Sequence, residues 1–153
     1  MPLFRADGGH NNLSKLHRIK PKTLLPVHQP EASMEKTILL LDPDNATLHL
    51  TRYNLEGLEY FKIHTFIDPV QALRYIYLYG QPHLVITEYN LPAMTGIEFM
   101  NRVRTLHPRA NAVIFTGNSF EITEPCEFPI VTKSKDAYRI LIPLILKKLF
   151  DKD

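Results

Sequence analysis

The sequence is poor in the residues that build disulfide frameworks and thiolate metal sites. It contains one cysteine, Cys126, and no tryptophan. A single cysteine excludes an internal disulfide and a metal site made of thiolates alone. Because a chain without structural disulfides suits a reducing compartment, we expect a cytoplasmic location.

Long apolar runs are missing as well. A membrane-spanning helix needs about 20 consecutive apolar residues, whereas the longest apolar run, Ile140 to Leu146, is interrupted by Pro143. The beginning of the chain has no continuous apolar segment of the signal-peptide kind. The net charge of +2 is too small to indicate a nucleic-acid partner by itself. We therefore expect neither a membrane nor a nucleic acid among the partners.

Basic residues are concentrated at the beginning of the chain. Residues 1–33 contain five basic and two acidic residues, a balance of +3 within the total of +2. The same stretch is rich in Pro, Asn, His and Gly and has little apolar periodicity. We therefore interpret residues 1–34 as a disordered basic leader or linker. The alternative interpretation is a basic arm that binds nucleic acid.

From residue 36 onward, short apolar runs alternate with segments that carry helix signals. The first run, from Lys36 to Leu41, has no polar alternation, as expected of a parallel strand covered on both faces. Asp44 and the pair Asp68-Pro69 are typical of helix starts, and we expect Ser134 to cap the last helix. Alternating strands and helices predict an α/β domain, and five such units favour a flavodoxin-like, doubly wound parallel sheet of order 2-1-3-4-5.

The connection between the fourth and fifth predicted strands is unusual for that fold. It is short, and it contains Pro125 and Pro129. Proline removes a helix hydrogen bond and clashes with the preceding turn. The sequence therefore predicts that the fourth helix is shortened or lost.

Polar side chains stand where four of the predicted strands end, at Asp42, Glu88, Thr116 and Lys133. In the predicted strand order the carboxyl ends of the strands form one edge, where open α/β sheets bind their ligands. We expect Glu88 to lie close to Lys133, because opposite charges there gain from pairing. The alternatives are a solvated acid at Glu88, an ordinary strand-end hydroxyl at Thr116 and a surface charge at Lys133.

The segments around these residues resemble, in order, the motifs of response-regulator receiver domains, the CheY-like proteins of bacterial two-component signalling. The segment from Pro82 to Gly96 is the most specific, since it resembles the third strand, the phosphoacceptor and the following loop almost position for position. The resemblance covers nearly all of residues 36–150 and implies a receiver-like domain at 35–150 with a tail at 151–153. The other matching segments are Ile38–Asp44, Val113–Gly117 and Ile130–Lys133.

The resemblance implies a role for each strand-end residue. Glu88 stands at the phosphoacceptor position, Thr116 at that of the switch hydroxyl, and Lys133 at that of the phosphate-contacting lysine. In a complete receiver, adjacent carboxylates and the acceptor aspartate hold a divalent cation through oxygen ligands. The cation and the lysine neutralise the incoming phosphoryl group.

Two substitutions depart from the family pattern. Glu88 replaces the acceptor aspartate, which moves the carboxylate about 1.5 Å outward, and misplacement by about 1 Å can be severe for chemistry. Pro43 replaces the second acid of the first-strand pair. Asp42, Glu88 and the Asn90 carbonyl then leave a Mg²⁺ site that is weak or absent. We therefore expect no cofactor.

These departures predict an atypical stand-alone receiver that acts as a phosphorylation-independent protein-interaction module. We expect no enzymatic activity, because no nucleophile–base pair is visible. The expected partner is a protein, such as a histidine kinase or another regulator. One alternative is a receiver that still accepts a phosphoryl group from a histidine kinase. Another is a flavodoxin-like binder of a small ligand.

The last predicted helix has more apolar residues than one packed face needs. The face opposite the sheet is predicted to carry Ile142, Leu146 and Phe150, and a shortened fourth helix should leave it bare. Exposed apolar patches usually mark binding sites, so we expect a homodimer or partner interface there. Alternatively, a kink at Pro143 turns both faces inward. The sheet-facing stripe is predicted to comprise Ala137, Ile140, Leu141, Leu144, Ile145 and Leu149.

Overall fold

A five-stranded parallel sheet runs through residues 35–58 and 60–151, the residues that the computed structural model describes. The strand order is β2-β1-β3-β4-β5, which confirms the predicted α/β fold. The predicted leader, 1–34, and residues 152–153 of the predicted tail lie outside the described residues. The strands are β1 (Lys36–Leu41), β2 (Phe61–Phe66), β3 (Leu84–Thr87), β4 (Ala112–Thr116) and β5 (Ile130–Thr132).

Within the described ranges, four α-helices cover the two faces of the sheet. Between β4 and β5 the chain forms only a 3-10 helix of three residues, Ser119–Glu121. This confirms the prediction that the helix between the fourth and fifth strands is shortened or lost. None of the helices in the described part of the chain is long and apolar enough to cross a membrane. The α-helices are α1 (Asn45–Glu56), α2 (Pro69–Tyr79), α3 (Gly96–Leu106) and the last helix, α4 (Ala137–Phe150).

Side-chain caps fix the beginnings of the first two helices as predicted. The Asp44 carboxylate accepts a hydrogen bond from the backbone N–H of Ala46, and the Asp68 carboxylate accepts one from Val70. The prediction that Ser134 caps the last helix is wrong. The Ser134 carbonyl accepts a hydrogen bond from the N–H of Ala137 in a separate turn. Because the chain forms this turn first, α4 begins only at Ala137.

The core lies on both faces of the sheet because neighbouring strand residues point to opposite sides. Leu39 and Leu41 of β1 pack on the α2–α3 face, whereas Ile38 and Leu40 pack on the α1–α4 face. Full burial of such side chains contributes about 1.5–3 kcal/mol each. Both faces of β1 are therefore apolar, and the chemistry is confined to the strand ends.

The last helix packs differently from the predicted stripe. Ala137, Leu141 and Ile145 are buried against the sheet, but Ile140 is 58% exposed, which contradicts its assignment to the sheet-facing side. A spacing of four residues keeps one face toward the sheet, and Ile140 precedes Leu141 by about 100° around the helix. Ile142 is partly buried against the core.

The predicted bare face is also smaller than expected. Phe150 stacks on Phe61 with ring centroids 6.2 Å apart and meets Tyr60 edge-on at 6.4 Å. Ile142, Leu146 and Phe150 are all half-buried. The interface assigned to these three residues stays a prediction.

Candidate functional site

The sheet brings together the four strand-end residues that the sequence singles out. Backbone hydrogen bonds extend the ladder past the strand ends, from Glu88 N–H to the Leu41 carbonyl (2.9 Å) and from Lys133 N–H to the Thr116 carbonyl (2.8 Å). Asp42 directly follows β1. All four residues therefore sit on backbone that the sheet holds in place.

Gly96 lets the next helix begin close against this edge. A Cβ atom at Gly96 would lie 2.4 Å from the backbone oxygen of Glu88, a distance that real side chains do not tolerate. The Gly96 N–H also donates to the Tyr89 carbonyl at 2.7 Å. A glycine is thus required at residue 96, where α3 approaches the backbone of Glu88.

Lys133 bridges the two carboxylates of the site. Its Nζ atom donates to Asp42 Oδ2 at 2.6 Å and to Glu88 Oε1 at 2.9 Å. The side chains are largely buried, with 21% of Lys133, 7% of Asp42 and 12% of Glu88 exposed. The predicted proximity of Glu88 and Lys133 is confirmed. We call Asp42, Glu88 and Lys133 the ion triad.

The remaining carboxylate oxygens of the ion triad are also occupied. Asp42 Oδ1 accepts from the N–H of Asp44 at 2.8 Å. Glu88 Oε2 accepts from the N–H groups of Tyr89 and Asn90. Each of the four carboxylate oxygens therefore has at least one donor from the protein itself.

The surroundings shift the pKa values of the ion triad in different directions. Burial raises the pKa of Asp42 above its usual value, and its hydrogen bonds to Lys133 and Asp44 offset this only in part. Burial would also raise the pKa of Glu88, but the neighbouring Thr116 and Lys133 side chains lower it below the usual range. Burial alone would lower the pKa of Lys133, but the two carboxylates raise it. The Lys133 ammonium therefore favours the ionised form of both carboxylates, against the effect of burial.

Thr116 lies at the same edge of the sheet, but its hydroxyl is not hydrogen-bonded. Its side chain is completely buried, and no group among the described residues makes a well-aligned hydrogen bond to its hydroxyl. The hydroxyl is nevertheless near enough to Glu88 to contribute to the lowered pKa of that carboxylate. Thr116 is thus a neighbour of the ion triad but makes no hydrogen bond to it.

The side chains next to the ion triad are engaged in other contacts. Asp44 uses its carboxylate to cap α1 and to accept from the Thr47 hydroxyl, and Pro43 offers no side-chain ligand. The Asn90 side chain donates to Glu121. In the described ranges, no group of three or more His, Cys, Asp and Glu side chains is arranged to hold a metal. Mg²⁺ needs near-octahedral oxygen ligands, and the Lys133 ammonium already lies between the two carboxylates.

Further side chains at this edge were not singled out from the sequence. The Tyr89 hydroxyl donates to Glu124, which raises the pKa of Tyr89 to about 12. The Glu121 carboxylate accepts from Asn90 Nδ2 at 3.2 Å and from Asn118 Nδ2 at 3.1 Å. No local pattern predicts the contacts of Tyr89 and Asn90, because their partners lie 35 and 31 residues further along the chain. We call Tyr89, Asn90, Asn118, Glu121 and Glu124 the loop clamp.

Comparisons with known proteins agree with this geometry. The family model of the response regulator receiver domain matches residues 38–124, more than half of the chain. A comparison with curated proteins finds no significant match.

Solved structures of receivers share the fold. The response regulator protein TrrA from Thermotoga maritima, in complex with Mg²⁺-BeF, has a TM-score of 0.65 at 23% identity over 74% of this chain and 98% of that one. A CheY-like response regulator receiver domain protein from Methanospirillum hungatei has a TM-score of 0.63 at 25% identity, covering 75% of this chain and 94% of that one. With the family match and the strand-end residues in place, the chain belongs to the response regulator receiver family.

Proposed function

We propose that this receiver domain acts without phosphorylation, as a protein-interaction module held in one state by the ion triad. The observation that carries the proposal is a closed ion triad built on Glu88 in place of aspartate: the Lys133 ammonium lies 2.6 Å from Asp42 and 2.9 Å from Glu88. In that position it neutralises carboxylates that a receiver uses to bind a cation. The module has no catalytic activity of its own.

The contacts of Glu88 support this proposal chemically. A phosphoacceptor carboxylate attacks the phosphorus atom with an oxygen lone pair while the bond to the leaving group breaks and that group takes its electron pair, and nearby positive charge neutralises the phosphoryl oxygens. Both oxygens of Glu88 already accept hydrogen bonds. Lys133 is engaged by Asp42 as well. Phosphorylation of Glu88 would therefore compete with the contacts of the ion triad.

The proposed partner is a protein, either a kinase or another regulator, and the chain forms a homodimer through the last helix. The proposed dimer surface comprises Ile142, Leu146 and Phe150, all of which are half-buried in the single chain. A symmetric dimer would bury the same residues on both chains.

Incubation with acetyl phosphate and Mg²⁺, followed by intact-mass measurement, tests the proposal. We expect the mass of the wild-type protein to stay unchanged. The matched control is the double variant Pro43→Asp, Glu88→Asp, which restores the second acid and the shorter acceptor and should gain a phosphoryl group. A phosphorylated wild-type protein would instead identify a receiver that is competent for phosphoryl transfer.

A further inference from the structure

The solvent side of α2 is unusually apolar. An ordinary surface helix buries its apolar residues and turns polar residues outward. On α2, Val70, Tyr77 and Leu78 are 58%, 74% and 62% exposed, whereas Ala72 and Ile76 are buried in the core. Apolar side chains therefore lie on both sides of this helix, and packing of the core explains only those on the buried side.

The exposed residues of α2 form one stripe. Arg74, Tyr77 and Leu78 follow Val70 by four, seven and eight positions. At 3.6 residues per turn, these spacings keep all four side chains on one face of the helix. Arg74 is the only charged residue of α2. A largely apolar stripe with these spacings is a surface against which another helix can pack.

The neighbouring helix α3 extends this surface. The two helices are in contact and pack on the same core cluster. Leu106 is 52% exposed on α3, and Arg102, one turn earlier, is also exposed. Gln81, just after α2, lines an open pocket together with Leu106 and Arg109, so the ends of the two helices border one recess. We call Val70, Arg74, Tyr77, Leu78, Arg102 and Leu106 the α2–α3 surface.

Positive charge accompanies the apolar side chains. Arg74, Arg102 and Arg109 are exposed, and none of them forms an ion pair with another described residue. The segment from the beginning of α2 to the end of α3 contains two acids, Glu88 and Glu98. Glu88 is held in the ion triad, and Glu98 closes the capping box at the start of α3. The α2–α3 surface is therefore positive.

A second copy of the chain does not match the charge of this surface. Arg74 lies at the middle of α2, so a two-fold axis through the helix would bring the two Arg74 side chains together. Like charges placed against each other in an interface oppose association. A partner that carries carboxylates opposite Arg74 gains from the attraction instead.

We propose that the α2–α3 surface binds an acidic amphipathic helix of a partner protein. The apolar stripe of that helix packs on Val70, Tyr77 and Leu78. Its flanking carboxylates face Arg74 and Arg102. Tyrosine and arginine are among the residues that most often dominate the binding energy of interfaces. This inference rests on the proposed interaction role and names a surface for it on the opposite side of the sheet from α4.

Two labelled helical peptides test the inference by fluorescence anisotropy on the full chain. Both carry leucine at positions i, i+3, i+4 and i+7, and the flanking positions hold glutamate in one peptide and lysine in the other. The Leu/Glu peptide should bind the wild type more tightly than the Leu/Lys peptide. Tyr77→Ser should weaken binding of the Leu/Glu peptide by about tenfold. Arg74→Gln should weaken it at low salt, where charges are least screened.

Each variant has a matched control on the other side of the sheet. Tyr53 is 78% exposed on α1, and Arg139 is exposed on α4. Tyr53→Ser and Arg139→Gln should leave binding of the Leu/Glu peptide unchanged. Circular dichroism of each variant verifies folding.

Three results would overturn the inference: equal binding by Tyr77→Ser and the wild type, an equal loss in Tyr53→Ser, or equal binding of the two peptides. Self-association, or binding of a single-stranded oligonucleotide, that Tyr77→Ser abolishes would also overturn it, because a second copy or a nucleic acid would then be the occupant. The intact mass of the wild type after incubation with acetyl phosphate reports phosphorylation separately, so a failure of the surface is distinguishable from a failure of the proposed function.

Discussion

At the scale of single residues, Lys133 determines the chemistry of the site. It lies between Asp42 and Glu88, two carboxylates that would otherwise repel each other in a largely buried position. Two uncompensated charges in such surroundings are costly, because burial disfavours the ionised forms. The lysine thus stabilises this end of the sheet and, at the same time, pairs with the carboxylate of Glu88.

Removal of the ammonium should destabilise the protein. We expect Lys133→Met to lower the free energy of unfolding by about 3 kcal/mol, since it leaves buried carboxylates without their partner. Urea denaturation measures this change. Lys135→Met removes an exposed lysine nearby and should have little effect. If both variants unfold at the same urea concentration as the wild type, the ion triad is not a stabilising contact.

The lowered pKa of Glu88 predicts a dependence of stability on pH. A carboxylate with a lowered pKa in the folded state contributes stability above its ordinary value, 4.5, and loses it as the pH falls through the lowered pKa. The raised pKa of Asp42 acts in the opposite direction, but this residue is present in both proteins compared. The unfolding free energy of wild type should therefore exceed that of Glu88→Gln above pH 4.5 and approach it below. A difference that grows toward acid pH would contradict this.

At the scale of the elements, the sequence predicted the features that depend on a few neighbouring residues, namely the strands and the first two helix starts. Apolar runs located the strands, and Asp44 and Asp68 located helix starts, because a cap acts within a few residues. Ser134 and Ile140 were misassigned, because the turn before α4 and the rotation of that helix depend on packing against the sheet. The strand-end residues were predictable, since parallel strands end at one edge. The loop clamp was not, because it joins two loops through tertiary contacts.

The loop clamp should restrict the connection between β4 and β5. Tyr89→Phe removes the hydroxyl that donates to Glu124 and keeps the ring in place. We expect faster hydrogen exchange of the backbone amides in residues 117–128, with unchanged exchange in β1. Tyr77→Phe, which changes an exposed tyrosine on α2, is the control. Unchanged exchange throughout the Tyr89→Phe variant would show that the clamp does not order this connection.

At the scale of the whole molecule, the receiver fold is retained at low sequence identity. TM-scores of 0.65 and 0.63 accompany identities of only 23% and 25%. The two core clusters on either side of β1 account for this, since they depend on apolar character and not on the strand-end residues. Fold and site can therefore change separately.

The proposed homodimer is tested at this scale. Sedimentation equilibrium of the wild type should show a concentration-dependent dimer, and Leu146→Glu should be monomeric because a charge would enter the apolar interface. Ile140→Glu is the matched control, since Ile140 is exposed on another side of the same helix. A monomeric wild type, or equal dimerisation of wild type and Leu146→Glu, would exclude this interface.

A calorimetric titration with Mg²⁺ tests most directly whether Lys133 occupies the place of a cation. The wild type should bind Mg²⁺ weakly or not at all, because the ammonium lies within 2.9 Å of both carboxylates. Lys133→Met frees Asp42 and Glu88 and should raise the affinity by about tenfold or more, with a matching gain in thermal stability when Mg²⁺ is added. Tight binding of Mg²⁺ by the wild type, or no gain in the Lys133→Met variant, would contradict the account.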